Sequence, residues 1–133
     1  MNLTHTQANQ IIQVVVAELV KRKKNGIVAV ADSHGELIGF LRMDGVKLTS
    51  INIVLNKAWT AARSQKPTSE IGKSIKDPAK GFDVSYYGDP RITGFGGGVP
   101  VLKDGIVIGA VAVSGLSQEE DEELAEIGIQ KVM

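Results

Sequence analysis

The chain has 133 residues, 43% hydrophobic and 23% charged, with 15 Lys plus Arg matched by 15 Asp plus Glu. That length accommodates one domain, taken over residues 1–133, and only 5% aromatic residues leave its core to Ile, Val, Leu and Ala. The charge balance supplies no bulk field for nucleic acid or an anionic membrane, and the absence of Cys excludes disulfides, thiolate metal ligation and a Cys nucleophile.

The polar opening Met1-Asn2-Leu3-Thr4 is not the basic and then apolar run of a secretory signal, and no stretch is apolar for long enough to span a bilayer. A cytoplasmic protein is the expectation. Its alternative is a mature exported protein whose leader has been removed.

Thr4-His5-Thr6-Gln7 has capping-box spacing, and Ala8, Ile11, Ile12, Val15 and Leu19 follow as one helical stripe. Lys21-Arg22-Lys23-Lys24 and Asn25-Gly26 end that helix; cations in a last turn complement the helix dipole and are read here as solvated. Ile27 to Ala31 is a short, nearly continuous apolar run, which predicts a central strand covered on both faces. Asp32 to Glu36 supplies turn residues, and Leu37 to Arg42 returns as the second strand of a hairpin.

Leu48, Ile51, Val54, Leu55, Ala58 and Ala62 repeat at helical spacing, with small residues that permit close packing. Pro67-Thr68-Ser69-Glu70 ends that helix and opens a short one to about Ile75. Lys76 to Phe95 carries no sustained period and reads as a binding loop or a plain connection, with a short strand around Asp83 to Tyr87. Val99 to Leu102, Lys103-Asp104-Gly105 and Ile106 to Ser114 form a second hairpin. Ser117-Gln118-Glu119-Glu120 is a second capping box and starts a final helix. Antiparallel strands with helices packed on them make an α+β domain.

Candidate chemistry is sparse. Gly94, Gly96, Gly97 and Gly98 either present a nest of N–H groups to an anion or allow close backbone approach beside the next strand. His5 and His34, the two imidazoles, lack a partner at zinc-ligand spacing; each of His5, His34, Met43, Tyr86 and Tyr87 is a candidate for a single axial bond to a haem iron. Arg42 and Asp44 set a cation and a carboxylate at a sheet edge, suited to a propionate or small organic acid, or to pairing with each other. Lys57 and Thr60 leave the apolar stripe by different angles, so one of them reaches a pocket between helix and sheet. Trp59 reads as a packing residue, and the acidic run from Glu119 to Glu123 as charge favoured by a helix N-terminus. Ser114 lacks the Gly-x-Ser-x-Gly elbow of an acyl-transfer nucleophile.

In order, Val28 to Asp32, Gly35, Arg42 to Gly45, Lys57 to Ala62, Gly97-Gly98-Val99-Pro100, Gly105, Gly109 to Gly115 and Asp121-Glu122 resemble the GlcG/HbpS family over essentially the whole chain. The family is related to the C-terminal domain of PduO-type corrinoid adenosyltransferases. The resemblance implies a profilin-like α+β fold, an antiparallel five-stranded sheet packed between helices, and self-assembly into homo-oligomers. It also implies a binding pocket near Arg42, Asp44, Lys57, Thr60, Gly97 and Gly98. The ligand implied first is haem, with a corrinoid second. Two alternatives accompany it: an enzyme or accessory protein acting on a small organic acid in glycolate or diol metabolism, with Arg42 holding a carboxylate and Asp44 or Asp121 moving a proton, and a non-catalytic oligomeric assembly domain.

Overall fold

A computed structural model describes all residues, Met1–Met133. The elements run α1 (His5–Lys21), β1 (Ile27–Asp32), β2 (Leu37–Arg42), α2 (Thr49–Ser64), α3 (Thr68–Ile75), β3 (Gly98–Lys103), β4 (Ile106–Ser114) and α4 (Gln118–Val132). The strands form one antiparallel sheet of order β2-β1-β4-β3. The two hairpins therefore lie side by side, joined by β1 against β4 in the register Ile27 to Ser114 through Asp32 to Gly109.

The sheet has four strands, not five. The only further strand the sequence offered, around Asp83 to Tyr87, is a 3₁₀ turn over Val84–Tyr87. Its Asp83 carboxylate accepts from Ser85 N at 2.8 Å, and Gly88 closes it with a left-handed φ of 79°. A short polar side chain that captures a nearby N–H competes with ladder pairing, and here it wins.

Capping accounts for both helix starts. Gln7 N donates to Thr4 Oγ1 and Thr4 N to Gln7 Oε1, at 3.1 and 2.9 Å, while Ser117 Oγ accepts from Glu120 N at 3.2 Å. The two faces of the sheet are packed differently. On one, α1 and α4 cover Val28, Val30, Val99, Val101, Val111 and Val113 with Ile11, Val15, Leu19 and Leu124. On the other, α2 lies on Ile27, Ala29, Ala31, Ala110 and Ala112 through Val54, Ala58, Ala61 and Ala62. Methyl against methyl brings α2 close to the sheet, which is why its Lys57 side chain reaches the backbone of β4. No helix is long and apolar enough to cross a membrane.

The basic end of α1 is not simply solvated. Arg22 meets Glu18 and Glu120 at 3.1 Å and Glu123 at 2.5 Å, and Lys24 meets Glu120 at 2.7 Å. These bonds hold the Arg22 guanidinium above its ordinary range and the Glu120 carboxyl below its own. The acidic start of α4 thus docks on the basic end of α1, a pairing between elements about a hundred residues apart that neither local pattern contains.

Backbone meets backbone where α3 passes the segment before β3. A Cβ on Gly94 would lie 2.8 Å from the Gly72 Cα, and one on Gly72 would run into the Gly94 carbonyl. Gly72→Ala is expected to destabilise the protein by about 1–3 kcal/mol through overpacking, read as a lower urea midpoint with an unchanged slope.

Candidate functional site

At one end of the sheet β4 runs past the start of β3, and the Val113 carbonyl would lack a strand partner. Lys57 of α2 supplies one: its Nζ donates to Val113 O at 2.9 Å, while Val113 N donates to Gly97 O at 3.0 Å. The same ammonium donates to Asp121 Oδ2 at 3.1 Å, and the other oxygen, Asp121 Oδ1, accepts from Leu116 N at 3.1 Å. Both side chains of this ion pair are 3% exposed. Burial pulls the Lys57 ammonium below its ordinary value and pushes the Asp121 carboxyl above its own, each offset in part by the charge of the other. Two charges that burial disfavours are held together by contact with one another.

Gly97 makes the approach possible. With φ at +130°, a Cβ there would stand 2.6 Å from Val113 O and 2.7 Å from Lys57 Nζ, so a side chain would push the pair apart. Its neighbours do not form an anion nest, because Gly96 N donates to Gln118 Oε1 at 2.7 Å and Gly98 N to Thr68 Oγ1 at 3.0 Å. Of the two readings of the glycine cluster, close approach is the one the fold uses.

Three clefts adjoin this point and share lining residues. The first, about 280 Å³, has Lys57, Asp121 and Ser114 at its base and Ser50, Ile53, Phe95 and Leu116 around it. The second, about 420 Å³, lies between α3 and α4 and is polar, with Ser69, Lys73, Lys76, Glu119 and Glu122; it shares Gln118 with the first. The third, about 320 Å³, is the apolar one, formed by Ile75, Val84, Ile92 and Phe95 with Lys76 beside them; it shares Phe95 with the first and Gly94 with the second. The loop from Lys76 to Phe95 forms much of its wall and is itself tied down. Thr60 Oγ1 donates to Arg91 O and accepts from Thr93 N, at 3.0 and 3.1 Å, and the Arg91 guanidinium lies 4.0 Å from the Trp59 ring centre.

Of the six residues placed near a pocket from sequence, Lys57, Gly97 and Gly98 come together here. Thr60 is buried one turn further along α2 and acts as a loop anchor. Arg42 and Asp44 are exposed at the end of edge strand β2, with β1 standing between Arg42 and Ser114 in the register. They form no ion pair with each other; the Asp44 backbone carbonyl instead accepts from Asn25 Nδ2 at 2.7 Å.

Of the five candidate axial ligands, none lines the three clefts. His5 and His34 are exposed on a helix start and a turn, and Met43 Sδ accepts from Gly26 N at 3.5 Å. Tyr86 is exposed, and the Tyr87 ring lies 5.6 Å from that of Phe82. Sequence reasoning missed Ser50, Ile53, Leu116 and Gln118, together with the apolar set of Ile75, Val84 and Ile92. The irregularity of residues 76–95 was the one signal that pointed toward the latter.

Residues 3–130 match the family of haem degrading proteins of the HbpS-like type. The chain belongs to that family. It is 36% identical over 127 residues to a 15.0 kDa protein of Citrobacter freundii encoded between dhaT and dhaS, covering 96% of this chain and 89% of that one. It is 34% identical over 112 residues to GlcG of Escherichia coli K12, covering 84% and 81%. The crystal structure of a PduOC–haem complex superposes with a TM-score of 0.90 at 27% identity, over 98% of this chain and 94% of that one. HbpS-like members thus share the α+β fold described above, and the expected kinship with GlcG and PduO is present in this chain.

Lys57→Met is expected to cost about 3–5 kcal/mol, because it leaves the Asp121 carboxylate buried and unpaired. The double variant Lys57→Met with Asp121→Leu is expected to regain most of that loss. Urea unfolding of the wild type, Lys57→Met, Asp121→Leu and the double variant reads these numbers; single-variant losses that simply add up to the loss of the double variant would mean the pair has no coupling.

Proposed function

We propose that this protein binds haem, or a closely related tetrapyrrole, in the apolar cleft walled by the loop from Lys76 to Phe95. One observation carries the reading: Ile75, Val84, Ile92 and Phe95 form an apolar surface beside the Lys76 ammonium, in a chain of the HbpS-like family. A flat apolar ring with carboxylate arms matches that chemistry, with the ring on the aliphatic side chains and an arm on the cation. The relative solved with haem, PduOC, supports the same reading.

Tyr87 is the axial candidate that this reading prefers. Tyr87 does not itself line the cleft, but it is three residues from Val84 in the 3₁₀ turn, and Val84 does, so it is the candidate nearest the cleft in the chain. A phenolate is an established haem-iron ligand. Bound haem would supply a redox-active iron, whose potential depends on that ligand and on the dryness of its surroundings.

A volume of about 320 Å³ lies at the lower end of ligand pockets, so the cleft holds the ring by one edge and leaves the other accessible. Self-association belongs to the same proposal, supported by Leu37, Phe40 and Leu41 standing exposed on edge strand β2.

Titration of the protein with haemin, followed by visible absorbance, is expected to give a saturable Soret band. Ile92→Asp is expected to weaken binding at least about tenfold, equivalent to roughly 1.4 kcal/mol. Tyr87→Phe should move the band without abolishing uptake, and added cobalamin should leave the titration unchanged. An unsaturable haemin signal, or an Ile92→Asp variant that titrates like the wild type, would overturn the reading.

A further inference from the structure

We propose that the cleft lined by Lys57 and Ser114 is a second binding site, adjoining the tetrapyrrole cleft at Phe95, and that it takes a short-chain aliphatic monocarboxylate. The Ser114 hydroxyl has nothing to bond. Ser114 is 2% exposed, its Oγ has no hydrogen-bond partner within the protein, and it lines a cleft of about 280 Å³. Buried hydroxyls are nearly always paired, so one left unpaired in a residue that lines a cleft is fitted to a group that enters that cleft.

The neighbouring groups define the chemistry of the guest. An ammonium has three donors, and Lys57 spends two of them, on Val113 O and Asp121 Oδ2. Both oxygens of Asp121 are occupied, one by Lys57 and one by Leu116 N. Lys57 and Ser114 therefore each keep one donor that the protein itself does not use, and the neighbouring carboxylate already has a partner on each oxygen. A carboxylate, with two acceptor oxygens a short distance apart, uses both donors at once.

Charge narrows the class further. The first turn of α4 borders the cleft, and a helix N-terminus favours an anion. Asp121, although paired, keeps a negative charge beside the cleft and disfavours a second charge on the guest, so a monoanion fits and the phosphate dianion does not. Ile53, Phe95 and Leu116 provide apolar surface for a short alkyl tail.

The test is a ¹H–¹⁵N correlation titration of the full chain with sodium acetate, propionate and butyrate, against phosphate and chloride at equal ionic strength. Saturable shifts are expected at the amides of Ser114, Gly115 and Leu116, with affinity rising about fourfold for each added methylene. Phosphate and chloride should give none. Ser114→Ala is expected to weaken butyrate at least about tenfold while its urea midpoint stays level or rises, since a buried hydroxyl without a partner has been removed.

A lower midpoint, or failure of that variant to fold, would mean that the hydroxyl is already used in the protein, and would overturn the proposal. So would carboxylate shifts that never saturate, phosphate shifts of equal size, or butyrate binding unchanged in Ser114→Ala. Haemin uptake by Ser114→Ala should match the wild type, which separates this site from the tetrapyrrole cleft whichever of the two readings fails.

Discussion

The contact between the Lys57 ammonium and the Asp121 carboxylate governs how the layers of this protein meet. One residue comes from the helix on one face of the sheet, the other from a helix on the opposite face, and they join past the end of β4, where no strand separates them. Burial acts against both charges, so the pair persists because its polar atoms also engage Val113 O and Leu116 N. Such a pair adds little net stability compared with apolar packing, but it tolerates few alternative arrangements. The +130° φ of Gly97, the turn of β3 away from β4 and the start of α4 are all compatible with that one junction.

The unequal faces of the sheet explain why the three clefts described above gather at this end. Valines and isoleucines under α1 and α4 fill the space between layers and leave no room for a guest. Alanines under α2 bring that helix close to the sheet along most of its length, but they cannot close the gap at the open end of β4. There the filling is done by Lys57, Phe95 and glycines, whose shapes leave room. These three clefts lie where the small-residue layer stops; another, of about 270 Å³, opens toward the β1–β2 turn beside Ala31, Ala58 and Trp59.

The same junction separates two kinds of surface. Toward the loop of residues 76–95 the lining is aliphatic and aromatic, whereas toward α4 it is hydroxyl, ammonium and carboxylate. Members of the HbpS-like family carry this fold, and an apolar surface next to a polar one lets a single scaffold serve ligands of different chemistry. Thr60 and Trp59 hold the loop that divides them, which makes two residues that look like core packing part of the geometry of both clefts.

Local pattern was enough for every helix and for both hairpins, because side-chain caps, apolar periodicity and Asp-Gly turns act over a few residues; α1, however, stops at Lys21 with its left-handed residue at Lys23 and not at Gly26, and at Ser117 only half of the expected capping box forms. The family, too, was legible in the ordered run of motifs from Val28 to Glu122. Local pattern failed at Asp83 to Tyr87, where a side-chain cap on Ser85 competed with strand pairing, and at Arg22 and Lys24, whose partners lie on α4. It could not distinguish Lys57, which reaches a buried carboxylate, from Arg42, which stays on an exposed edge, since both are cations beside apolar residues. Tertiary structure alone decided that difference: the partner of Lys57 is 64 residues away in the chain, and only the crossing of α2, β4 and α4 brings the two within 3.1 Å.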